Sequence, residues 1–117
     1  PPDGALPGGE RPADPRPVWR VSFSDRAREQ LEWLRARGIE LEERLAYTLS
    51  LGPQPHAYRR IARAGDGWRI AIKEWFAFFR ADEATIHVES LTSGVRPKEL
   101  EGAAPIHREF EARFPRA

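Results

Sequence analysis

The hydrophobic pattern of this chain changes period several times, and each change marks an element. "VWRVSF", Val18 to Phe23, is a short run of β-branched and aromatic residues and predicts a strand. Ser24 follows as a helix N-cap, with Asp25 in the first turn where its charge suits the helix dipole. Ala27, Leu31 and Leu34 then recur at helical spacing until Gly38 ends the pattern. A second helix is expected from about Glu40 to Leu51, with Leu41, Leu45 and Leu49 on one stripe and Gly52-Pro53 as its stop. The short link between the two predicts an antiparallel helical hairpin.

After the loop "GPQPHA" the period shortens to two. "YRRIARA", Tyr58 to Ala64, reads as a strand, and Gly65-Asp66-Gly67 reads as a tight turn. The run "WRIAIKEWFAFFR" is too long for an average strand, and Lys73-Glu74 is the only polar pair inside it. It therefore divides into strands Trp68 to Ile72 and Trp75 to Arg80 joined by a hairpin turn. The polar turn "ADEA" leads to a last strand, "TIHVESL", Thr85 to Leu91. Ile106, Phe110 and Phe114 at i, i+4 and i+8 predict a short C-terminal helix packed back on the domain.

The predicted class is α+β. An N-terminal strand and a helical hairpin precede an antiparallel meander of three or four strands, with the helices on one face. Alternation places Trp68, Ile70, Ile72, Trp75, Ala77 and Phe79 on the covered side, with Ile86, Val88 and Ser90 on the matching side of the last strand. Arg69, His87, Glu89 and some of the Phe side chains fall on the other face. Most of the aromatics are expected to be core or groove wall.

Composition adds exclusions. At 117 residues the chain is long enough for one core and too short for two. Its net charge is +1, so a nucleic-acid footprint would have to be local. There is no cysteine, which excludes thiolate chemistry and a Cys-based zinc site and fits a cytoplasmic location. No apolar run reaches membrane-spanning length. The three histidines are scattered without matching carboxylates, so neither a metal nor another cofactor is expected. Residues 1–17 hold six prolines and three glycines, which predicts an extended or disordered arm.

The order of elements resembles the RelE/ParE superfamily of toxins from type II toxin–antitoxin pairs. The resemblance runs from about Val18 to Leu100, which leaves 18–100 as the toxin-like domain and 101–117 as a helical tail. It rests on "WRIAI", "EWFAFFRAD" and "TIHVESLTSG" in succession, with "LGPQP" after the second helix. It implies a toxin that cuts messenger RNA in the ribosome and is neutralised by a protein antitoxin held in an apolar groove. The alternatives are a non-catalytic inhibitor of DNA gyrase, as ParE-like members are, and an inert protein-binding scaffold of the same fold. Carried over by position, Arg69 matches a basic residue of the first segment, and Arg96 lies two residues beyond the place of another. The arginine expected in the second segment falls on Phe76.

RNA cleavage without a metal needs a base for the ribose 2′-OH, a cation for the phosphorane and an acid for the leaving oxygen. The candidate set is Arg69 and Arg96 as phosphate clamps, with His87 and Glu89 as proton carriers. An imidazole can either accept or give a proton, which suits His87 to either role, while a solvated cross-strand pair accounts for His87 and Glu89 equally well. Arg59, Arg60 and Arg63, with Lys73 and Arg80, are candidate contacts to nucleic acid. The three arginines of "YRRIAR" also read as charge that keeps an edge strand soluble. His56 and His107 are expected at the surface.

Overall fold

The computed structural model describes residues 19–53 and 60–116. The expected N-terminal arm, Arg59, His56 and most of the "GPQPHA" loop lie outside the described residues. The elements are β1 (Arg20–Phe23), α1 (Asp25–Arg35), α2 (Glu42–Leu49), β2 (Ile61–Ala64), β3 (Gly67–Ile72), β4 (Trp75–Asp82) and β5 (Thr85–Ser93). A 3₁₀ turn (Pro97–Gly102) and α3 (Pro105–Arg113) complete the chain. The class is α+β. The strands form one sheet in the order β1-β5-β4-β3-β2. The meander has four strands in antiparallel pairing. β1 joins it parallel to β5, with Val21 opposite Ile86.

Local chemistry explains the boundaries. The Ser24 Oγ accepts a hydrogen bond from the Ala27 N–H at 3.0 Å, so α1 starts where the N-cap pattern puts it. Three two-residue connections join the meander, and the first residue of each is left-handed: Gly65 at φ 58, Lys73 at 54 and Glu83 at 55. Glycine accepts that conformation without cost, whereas a side chain there is strained by about 1 kcal/mol or more. Glu83 is exposed. Glu83→Gly is therefore expected to raise stability by about 0.5–1 kcal/mol, read as a higher urea midpoint. An unchanged or lower midpoint would count against strain at this turn.

One sheet face is buried. Ile70, Trp75, Ala77, Phe79, Ile86 and Val88 pack with Leu31, Leu34, Leu45, Leu49 and Phe110 in a single apolar cluster. Burying each large side chain contributes roughly 1.5–3 kcal/mol, which is what fixes the helices to this face.

Two expectations are corrected. Unbroken alternation along β5 would put Ser90 with Ile86 and Val88. Instead the register shifts: Phe79 faces Val88 while Phe78 faces Ser90, leaving Glu89 as the extra residue of a bulge. The slip delivers Leu91 and Ser93 to the buried side and Ser90 and Thr92 to the open one. It occurs where β1 ends and β5 loses its outer neighbour, so side chains take over the pairing. The Ser24 Oγ donates to the Glu89 carbonyl at 2.6 Å. The buried Gln30 amide then meets both backbone groups of Leu91, donating to its carbonyl at 3.0 Å and accepting from its N–H at 2.7 Å. Further along, the Glu111 carboxylate accepts from the Ser93 N–H, and Arg116 donates to the Ser93 carbonyl.

His107 is the second correction, since its side chain is only 2% exposed. Its ring stacks on Trp75 with centroids 4.6 Å apart. Nδ1 meets the Ser93 Oγ at 2.6 Å and Nε2 meets the Glu74 Oε1 at 2.8 Å. The Val95 N–H donates to the same Ser93 Oγ. A tautomer in which Ser93 donates to Nδ1 and Nε2–H donates to Glu74 satisfies these contacts. The i, i+4 spacing of Ile106 and Phe110 drew α3 onto the sheet, and this network sets its rotation.

Candidate nucleic-acid interface

The open face of the sheet is built in three cross-strand rows. The first holds Ala71, Phe76 and Thr92, and the second Ala62, Arg69, Phe78 and Ser90. The third holds Arg80, His87 and Ser22. A groove of about 560 Å³ runs over these rows, lined by Arg69, Phe76, Phe78, Arg80, Glu89, Ser90 and Thr92. One wall comes from the segment after α3, Phe114 to Arg116, and from Arg26 of α1. Arg26 donates to the Pro115 carbonyl at 3.2 Å, which ties the two parts of that wall together.

The cations differ in what already answers their charge. Arg69 lies over the Phe76 ring with its guanidinium carbon 4.4 Å from the centroid, and it has no hydrogen-bond or ion-pair partner among the described residues. Arg80 is paired, with Nε 2.9 Å from Glu89 Oε2 and a terminal nitrogen 3.9 Å from Asp66 Oδ2. Arg116 donates to Glu111 and to the carbonyls of Ser93 and Val95. Gly67 lets β3 approach β4 closely, since a Cβ there would stand 2.5 Å from the Phe79 carbonyl oxygen.

Of the four candidate catalytic residues, Arg69 and Glu89 line the groove. His87 lies opposite Arg80 but outside the lining, exposed and 3.0 Å from the Ser22 Oγ. Arg96 is also outside it, exposed and 3.7 Å from Glu99. Among the candidate nucleic-acid contacts, Arg80 is in the groove. Arg63 pairs with Trp68 on the helix side of the sheet and lies over its ring at 4.7 Å. Arg60 is exposed just ahead of β2, and Lys73 is exposed in the β3–β4 turn. Of the three arginines of "YRRIAR", Arg63 points to the other face, Arg60 is exposed ahead of β2, and Arg59 is outside the described residues. Sequence reasoning missed Arg26, Arg116 and Phe114, because each reaches the groove only through the docking of helices on the sheet. It also missed Ser90 and Thr92, although the Val88–Leu91 spacing of three was a visible break in the period of two.

No family model matches this chain, and no curated protein matches it. Two solved structures are similar in outline. One is the solution structure of a conserved hypothetical protein from Helicobacter pylori, 10% identical over 65% of this chain and 94% of that one, with a TM-score of 0.46. The other is the toxin–antitoxin complex RelBE2 from Mycobacterium tuberculosis, 16% identical over 69% and 97%, with a TM-score of 0.45. Likenesses this distant carry no function across, so the chemistry has to come from the groove itself.

That chemistry suits binding better than proton transfer. Phe76 and Phe78 are half-buried rings on a sheet surface, the arrangement on which unstacked bases lie. Arg69 adds beside them a cation with no charged partner among the described residues. The two proton carriers do not converge: His87 is outside the groove lining, whereas Glu89 lines it and pairs with Arg80. No group of three or more metal-ligating side chains gathers among the described residues.

Proposed function

We propose that this protein is a toxin of a toxin–antitoxin pair that acts on translation by binding single-stranded RNA in the open sheet groove, without cutting it. The observation that carries the reading is Arg69 stacked on Phe76, with Phe78 beside it in the next row. A phosphate would take the guanidinium edge while a base takes the neighbouring ring face. The antitoxin expected from the family resemblance finds a candidate contact in Tyr47 and Leu51, which project from the α2 end as exposed apolar groups.

Arg69→Ala tests the site. Loss of one phosphate contact and its stacked partner is expected to weaken RNA binding about tenfold and to flatten the salt dependence of log K by about 0.7. Fluorescence anisotropy with a labelled RNA oligonucleotide reads both quantities. Induced expression is expected to arrest growth with messenger RNA intact, and Arg69→Ala to relieve the arrest. Cleaved messages would restore the nuclease reading. Inhibition of purified gyrase without RNA binding would favour a ParE-like inhibitor instead.

A further inference from the structure

Arg80 stands in the groove with its charge already met from inside the protein. Its partner Glu89 is the extra residue of the β5 bulge, and bulges commonly re-aim a side chain beside a functional surface. The bulge is held on both sides of Glu89. Ser24 donates to the Glu89 carbonyl itself, and Gln30 clamps Leu91 two residues on. The backbone of Glu89 is thus anchored while its carboxylate extends into the groove. Asp66, from the β2–β3 turn, lies 3.9 Å from a terminal nitrogen of the same guanidinium.

A carboxylate presents to a guanidinium the same kind of acceptor oxygens as a phosphate. Both members of the pair are about half-exposed, at 53% and 49%. An exposed ion pair of this sort is worth only about 0.2–1 kcal/mol, so an incoming phosphate can exchange with it. A core ion pair could not be exchanged so cheaply.

We propose that Glu89 is a built-in competitor for phosphate: it occupies Arg80 in the free protein and must be displaced before Arg80 contacts the RNA backbone. Glu89 then determines how tightly, and how selectively, the groove accepts a phosphodiester chain. Arg69 makes the first contact, and Arg80 is recruited only by a ligand whose next phosphate reaches it. The proposal takes its natural ligand from the RNA-binding reading, but any phosphate can probe it.

Glu89→Gln keeps the side-chain shape and removes the charge. It is expected to bind a labelled single-stranded RNA oligonucleotide about two- to fivefold more tightly, with the salt dependence of log K steeper by about 0.7 for one added phosphate contact. Calorimetry with inorganic pyrophosphate supplies a probe without bases, and the same gain is expected there. The double variant Arg80→Gln/Glu89→Gln should lose the gain on both probes. An Arg80-dependent gain on either probe supports the competitor role. No gain on either probe, or a gain that persists without Arg80, overturns it. The two readings fail separately. A gain on pyrophosphate with no RNA binding in either protein keeps the competitor and removes RNA as the ligand. Firm RNA binding unaffected by Glu89→Gln, with pyrophosphate also unaffected, keeps RNA and removes the competitor.

Discussion

Phe110→Ala is expected to destabilise the fold by about 3–5 kcal/mol, the range for truncating a fully buried phenylalanine. Phe110 is 0% exposed, and its ring lies 5.6 Å from Trp33, 5.0 Å from Trp75 and 5.1 Å from Phe114, measured between centroids. No single neighbour can relax into the space, because Trp33 and Trp75 belong to different layers, α1 and β4, held by their own contacts. Urea unfolding followed by tryptophan fluorescence measures the effect directly. A loss below about 1 kcal/mol would mean that α3 is an appendage outside the cooperative core. The substitution also reaches the groove, since Phe114 to Arg116 follow directly from α3 and form one wall. RNA affinity should therefore fall in Phe110→Ala even at temperatures where the domain remains folded.

Gln30→Met is expected to cost about 2–4 kcal/mol although it hardly changes side-chain volume. Gln30 is 0% exposed and serves both the N–H and the carbonyl of Leu91. Methionine supplies neither partner, and each buried backbone group left unsatisfied costs about 1–3 kcal/mol. Part of the loss is recovered if the bulge relaxes toward water. The check is the urea midpoint with its slope, compared with an exposed substitution such as Glu83→Gly. A loss under about 0.5 kcal/mol would show that the Gln30 contacts are dispensable. Because the bulge carries Glu89, relaxation should also change phosphate binding, and Gln30→Met and Glu89→Gln are then expected to be non-additive.

Most of the element order was legible because hydrophobic period is a local property. Leu41, Leu45 and Leu49 declared α2, and Lys73-Glu74 divided the long aromatic run where the chain does turn. Alternation alone put Arg69 and some of the Phe side chains on the open face, and Arg69, Phe76 and Phe78 share it. The bulge was harder, since a period-two reading carried past Val88 places Ser90 inside. Gln30 offered a clue of its own. It sits at a buried position of the α1 stripe, between Ala27 and Leu31, where a polar side chain needs a partner from elsewhere. His107 misled for the opposite reason: a lone histidine in a charged tail reads as surface until Ser93 and Glu74 are brought to it.

The amino-acid sequence by itself determined the α+β class, the turn positions, the apolar stripes and the set of residues that could meet nucleic acid. These follow from side-chain period and backbone preference within a few residues. Only the tertiary structure decided which cations are available. Among the described residues Arg69 is left unanswered, Arg80 is held by Glu89, Arg116 is bound to backbone carbonyls and Arg63 is turned to the other face. Those outcomes depend on strand register, on the parallel docking of β1 and on side chains that finish the β5 edge after β1 stops. Such contacts join residues far apart in the chain, and no local pattern encodes where their charges will meet.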